Sequence, residues 1–210
     1  ALKAVLGDHV SQAGSLVAPE HLRFDFTHFE ALSDEQLKRV EDLVNEQIFA
    51  AKPVVTVEMN IEDAKASGAV ALFGEKYGDV VRVVSVGAED KPFSRELCGG
   101  THARNTAELG FFKIVNESST GSNVRRIEAV TSEGAVAYLS GRAALVDSAA
   151  ATLKCRAEEV PARVEMLSQE LREANSKLKK ALTGGSSDAI GSAIEAATDM
   201  GAYKLVVAEV

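Results

Sequence analysis

Cys98 and His102 are the pair in this chain whose residue types and spacing point most directly to chemistry. A thiolate and an imidazole nitrogen are the donors zinc prefers, and Gly99 and Gly100 between them let the backbone turn both side chains toward one point. A pair of donors does not close a tetrahedral site, so at least one more ligand has to come from elsewhere in the fold. On spacing alone the Cys-x-x-x-His stretch also fits an ordinary turn. Cys155, the other of the 2 cysteines, lies in an Ala-rich helical stretch and reads as a small half-buried residue. So few cysteines give no disulfide framework. With no signal peptide and no long apolar run, the chain reads as a protein of a reducing, cytoplasmic setting with no membrane contact.

The elements that must position this pair follow from periodicity. At 210 residues and 46% hydrophobic the chain can bury a full core, enough for one or two domains. A net charge of -8 excludes a protein that holds nucleic acid by its overall field, so any RNA contact has to use a local patch. Residues 1–6 read as the end of a helix closed by Gly7. No capping residue precedes it, which leads to the expectation that the chain is cut from something longer. His9 to Val17 is a run of small and hydroxyl residues suited to lining a small-substrate site, with Gly14 permitting a tight turn. Residues 22–26 alternate as a half-buried strand. Ser33-Asp34-Glu35-Gln36 has the form of a capping box, and the helix it opens carries Leu37, Val40, Leu43, Val44 and Ile48 on one face and stops before Pro53. Residues 54–59 and 80–86 read as strands, with a short helical turn at 61–66 and a tight, glycine-bearing loop at 71–79 between them. Beyond the Cys98 motif, residues 111–115 and 124–131 read as strands joined by the turn-rich stretch 118–123.

From Glu133 the period becomes helical. A long Ala-rich helix runs to about Lys154, and a second starts near Pro161, where Val164, Leu167, Leu171, Ala174 and Leu178 make a coiled-coil seam. So short a seam is expected to pack antiparallel on the preceding helix rather than on a second copy. Residues 184–188 read as a linker and helix start, followed by an amphipathic helix. Residues 205–210 read as one buried strand with nothing in its own segment to pair with, which again suggests a cut. The fold class expected is α+β: mixed strands and helices over 1–131, a helical antiparallel coiled-coil hairpin over 132–183, and the start of a small α/β domain over 184–210.

Five stretches carry a further signal: Ser11-Gln12-Ala13-Gly14-Ser15-Leu16, Arg23-Phe24-Asp25-Phe26-Thr27-His28, Leu72-Phe73-Gly74-Glu75-Lys76-Tyr77-Gly78, Glu96-Leu97-Cys98-Gly99-Gly100-Thr101-His102 and Arg125-Arg126-Ile127-Glu128-Ala129. Together they closely resemble the alanyl-tRNA synthetase family over nearly the whole chain. The resemblance implies that 1–131 are an N-terminally truncated editing domain, 132–183 the helical connector, and 184–210 the beginning of the C-terminal domain. It also implies that the family's aminoacylation domain, with its ATP site, is not among these residues. In that family the editing domain hydrolyses serine or glycine wrongly esterified to the alanine tRNA. The family's zinc site joins a Cys-x-x-x-His to a His-x-x-x-His on a helix just upstream. Cys98 and His102 match the first pair, whereas no His-x-x-x-His exists in this chain, and His9, His21 and His28 lack a partner at i+4. The expectation is therefore zinc in the parent enzyme, and none or weakly held zinc here.

By the same resemblance Gln12, Cys98 and His102 are the catalytic residues. The Gln12 amide would orient substrate or water, a turn-stabilising hydrogen bond being its structural alternative. Discriminating serine from alanine demands a partner for the extra hydroxyl, for which Ser15, Gln12 and Thr101 are candidates. Arg125 and Arg126 are adjacent on a strand and so point to opposite faces. One is expected to meet phosphate while the other pairs with an acid such as Glu128 or Glu96, with Arg104 and Lys113 extending a basic patch. Solvated strand charges are the plainer reading. The function expected is hydrolysis of mischarged Ser- or Gly-tRNA(Ala), with tRNA(Ala) as partner and self-association through the parent's C-terminal region left open. The alternative is a non-catalytic, tRNA-contacting spacer, inactive because half of the metal site is missing.

Overall fold

The computed structural model describes residues 1–71 and 77–206. The chain divides into two compact units, Ala1–Gly141 and Arg142–Val210. In chain order the first unit holds α1 (Leu2–Leu6), β1 (Gln12–Val17), β2 (Leu22–Thr27), α2 (Asp34–Phe49), β3 (Val54–Asn60), α3 (Ile61–Ala66), β4 (Val80–Gly87) and β5 (Pro92–Leu97). A 3-10 turn at Thr106–Leu109, then β6 (Phe112–Gly121) and β7 (Val124–Thr131), lead into α4 (Ser132–Leu153), which crosses the boundary. The strands make two antiparallel sheets, one ordered β1-β2-β7-β6 and one β3-β4-β5. The α+β class is what the strand and helix periods predicted.

Local chemistry explains the main packing. The Ser33 hydroxyl accepts the Gln36 N–H at 3.2 Å while the Gln36 side chain accepts the Ser33 N–H at 2.9 Å, so α2 starts where the capping box placed it. Its apolar face, with Val40 and Ile48 buried, closes over Phe26, Phe112, Ile114, Ile127 and Ala129 of the four-stranded sheet. Buried Asn45 acts as a substitute strand at the edge of that sheet: its Nδ2 donates to the Phe112 carbonyl and its Oδ1 accepts the Phe112 N–H, both at 2.9 Å. A second, smaller core forms where Ala64 of α3 meets Val81, Val83 and Leu97 of the three-stranded sheet. Gly7 ends α1 with φ 110°, a conformation that favours glycine.

Several expectations change. The stretch read as a turn-rich lining is strand β1, hidden from pattern analysis because an edge strand with a bulge between Gln12 and Gly14 shows no clean apolar alternation. β5 was not anticipated, and β6 runs on to Gly121, so the hairpin turn is much shorter than the 118–123 stretch suggested. The stretch 72–78 lies outside the described residues for 72–76.

In the second unit, α5 (Val160–Glu195) continues straight through 184–188, where a linker was expected. The helix-favouring Ala, Leu and Lys residues before it offset the glycine cost of about 1 kcal/mol each. Its seam is not packed antiparallel on the preceding helix: Leu171 is 62% and Leu178 59% exposed. The buried strand expected from Leu205 is, in its described part, the two-residue β9 (Lys204–Leu205), where Leu205 is exposed, and it does have a partner, β8 (Thr198–Asp199). Among the described residues no helix is long and apolar enough to cross a membrane.

Candidate functional site

The Cys98–His102 stretch is the loop that leaves β5. Cys98 continues the β4–β5 ladder by one step, its N–H donating to the Arg82 carbonyl at 3.1 Å. The chain then turns, and the Gly100 N–H donates back to the Cys98 Sγ at 3.4 Å. A Cβ on Gly100 would lie 3.5 Å from that Sγ and 3.8 Å from the His102 Nε2, so thiol and imidazole flank one point in space. Their separation is at most the sum of those two distances. Cys98 is half-buried, whereas Thr101 and His102 are exposed.

Two anchors hold this loop, and neither was visible in the sequence. Upstream, the Arg82 Nη1 donates to the carbonyls of Gly99 at 2.8 Å and Gly100 at 3.1 Å. Downstream, the Val54 N–H donates to the Arg104 carbonyl and the Thr106 N–H to the Lys52 carbonyl, both at 2.9 Å. Buried Thr106 then donates its hydroxyl to the Gln47 carbonyl at 2.7 Å and accepts the Lys52 N–H at 2.8 Å, which ties the loop to the end of α2. Asn105 adds a donor to the Ala51 carbonyl at 2.8 Å and caps the 3-10 turn through the Ala107 N–H at 2.9 Å. A charged residue amid valines reads as an outward strand position; only the register places Arg82 opposite Cys98.

Gln12 and Ser15 form a second polar group. In a regular strand residues three apart face opposite sides, but the bulge adds one residue and returns them to the same side. The Gln12 Nε2 accordingly donates to the Ser15 Oγ at 3.3 Å. This group belongs to the four-stranded sheet and the Cys98–His102 loop to the three-stranded one. The hydrogen bonds described above tie each group to its own surroundings and not to the other.

The arginines depart from expectation. Arg125 forks onto Glu117 at 2.5 and 2.6 Å, and Arg126 onto its cross-strand neighbour Asp25 at 2.7 Å for both bonds. They point to opposite faces, as predicted, but both guanidinium forks are closed by carboxylates, and the acids are neither Glu128 nor Glu96. Glu128 instead accepts from the Asn116 amide at 2.9 Å. The hydrogen bonds from Arg126 hold the Asp25 carboxyl below its usual range, against the opposing effect of burial, while Glu117 and Asp25 raise Arg125 and Arg126. Lys113 is bound to Glu41 at 2.9 and 3.0 Å, so it does not extend a free basic patch with Arg104.

Zinc chemistry requires at least three protein ligands. Among the described residues no group of three or more His, Cys, Asp or Glu side chains is arranged to hold a metal ion. His9 and His28 are bonded to each other, Nε2 to Nδ1, at 2.8 Å. The described donor set stops at Cys98 and His102 and does not fit a closed zinc site.

Residues 81–128, from β4 through the Cys98 loop to β7, match the second additional domain of threonyl and alanyl tRNA synthetases, which places this stretch among aminoacyl-tRNA synthetase domains. Alanine–tRNA ligase of Shouchella clausii is 55% identical over 83% of this chain, and that of Exiguobacterium sibiricum 56% identical over 82%. The enzyme of Listeria monocytogenes is 46% identical over 100% of it. The chain belongs to the alanyl-tRNA synthetase family. It spans 20%, 19% and 23% of the length of these three relatives, so it represents one region of such an enzyme.

Proposed function

We propose that the first unit is an aminoacyl-tRNA ester hydrolase, an editing domain that removes serine or glycine from the alanine tRNA in a cytoplasmic setting. The observation that carries this reading is the convergence of Cys98 and His102 on one side of Gly100, in a loop anchored at both ends. An ester between an amino acid and a ribose hydroxyl is already activated, so the site has mainly to place a water, exclude the bulk and hold the charge that develops on the carbonyl oxygen. The water oxygen bonds to the carbonyl carbon, the bond to the ribose oxygen breaks, and the proton passes to that oxygen, releasing amino acid and tRNA.

In this reading Cys98 and His102 present their thiol and imidazole to the ester. The Gln12 amide and the Ser15 hydroxyl, already bonded to each other, offer polar partners for the serine hydroxyl, as does exposed Thr101. An alanine ester leaves those groups unpaired and is rejected for that reason. Zinc at Cys98 and His102 would need ligands from outside the described residues, and no step of this reading runs through it. The second reading, a non-catalytic tRNA-contacting spacer, is favoured by that donor count of two. It gains nothing from Arg125 and Arg126, whose forks are occupied.

Serine release from serine-charged alanine tRNA, with alanine-charged tRNA as control, separates the two. Selective release that falls in Cys98→Ala and Gln12→Ala is expected. A folded chain that releases serine no faster than buffer, or a Cys98→Ala variant as active as the wild type, sinks the hydrolase assignment.

A further inference from the structure

We propose that Arg82 is the positioning residue of the Cys98–His102 loop. The inference rests on the hydrolase reading for its function but on geometry alone for its structure. Three bonds meet at this residue: its carbonyl receives the Cys98 N–H at 3.1 Å, and its Nη1 reaches the next two carbonyls, Gly99 at 2.8 Å and Gly100 at 3.1 Å. Gly99 and Gly100 have no side chains with which to hold their own peptide planes, and both are exposed. A Cβ on Gly99 would meet nothing within 4 Å, so packing does not fix the turn. The guanidinium does this instead, with charge-assisted bonds roughly twice as strong as neutral ones. Fixing those two carbonyls orients the Gly100 N–H toward the Cys98 Sγ and sets the direction in which the chain continues to His102.

Arg95 supplies an internal contrast. It lies on neighbouring β5 and is also bonded to carbonyls, those of Ser67 at 2.9 Å and Glu89 at 2.7 Å, but these belong to other loops. A general requirement for arginine in this sheet would therefore affect both positions alike. Arg82 acts through the loop and not on the ester, so its loss should lower kcat for serine release more than it raises KM.

The decisive measurement needs no substrate: the rate of iodoacetamide alkylation at Cys98, followed by mass spectrometry on the whole chain, with Cys155 as internal reference. Loss of the charge-assisted clamp in Arg82→Gln should speed alkylation of half-buried Cys98 by about tenfold or more. Cys155 should be unchanged and Arg95→Gln should leave the Cys98 rate alone. Arg82→Lys, which keeps the charge but not the planar guanidinium, should fall between wild type and Arg82→Gln, and it decides on the same criterion if Arg82→Gln does not fold. An unchanged Cys98 rate in the folded variant, or an equal rise in Arg95→Gln, overturns the proposal. If neither wild type nor variant releases serine, the hydrolase reading fails while the alkylation rates still decide the role of Arg82.

Discussion

Thr106→Val isolates the hydroxyl that anchors the downstream end of the Cys98–His102 loop. Valine keeps the branching and nearly the volume of threonine, so little cavity opens at a position only 6% exposed. The Gln47 carbonyl that receives the hydroxyl at 2.7 Å belongs to the last turn of α2, where a helix leaves its carbonyls unpaired. The Lys52 N–H that donates to it at 2.8 Å lies just beyond. A backbone group stripped of its partner costs about 1–3 kcal/mol. Because these two groups are only part-buried, the lower end of that range applies to each, about 2 kcal/mol for the pair. Thr106→Ser keeps both bonds and removes one methyl, a loss of about 1 kcal/mol. Amide hydrogen exchange of peptides covering the end of α2 and residues 104–112 reads the local opening directly. The valine variant should exchange about thirtyfold faster than wild type and the serine variant about fivefold. If serine opens the region as far as valine does, the methyl and not the hydroxyl holds the loop, and the anchoring argument is wrong.

Two further predictions concern charge and space. Because the bonds from Arg126 lower the Asp25 carboxyl, Asp25 contributes stability that is complete above its unfolded value of about 4 and is lost as pH falls through the lower folded value. Asp25→Asn, lacking that ionisation, should lose less stability than wild type on going from neutral pH to below about pH 4, measured by urea unfolding followed by circular dichroism. Equal losses would show that the pair adds nothing. Gly100→Ala places a methyl 3.5 Å from the Cys98 Sγ and 3.8 Å from the His102 Nε2, ordinary contact distances that leave the melting temperature unchanged. That methyl fills volume both donors face, so serine release should fall by about tenfold or more. Undiminished release would put the ester on the other side of the loop.

What could be read from the sequence was whatever is local. The capping box at Ser33 and the apolar stripe of α2 depend on neighbours within one or two turns, and both are present where the residues placed them. The spacing of Cys98 and His102 about two glycines is local too, although the anchors that hold their convergence, Arg82 and Thr106, lie elsewhere in the chain. Pairings between residues far apart in the chain were not legible. Arg126 and Asp25 are 101 residues apart, and their facing depends on the register of β2 against β7, which no single segment specifies. From the sequence, the acid expected for one of the two arginines is a near one such as Glu128 or Glu96, but the register gives Glu128 to Asn116. Arg82 escaped for the same reason, since a strand position opposite Cys98 looks no different in sequence from a solvated one. A guanidinium whose planar fork is closed by a carboxylate can meet a phosphate only after that carboxylate is released, and the release exposes a half-buried acid. Substitutions at Arg125 or Arg126 therefore perturb the four-stranded sheet before they perturb any RNA contact. A loss of tRNA binding in such variants counts as recognition only where exchange protection of β2, β6 and β7 is retained.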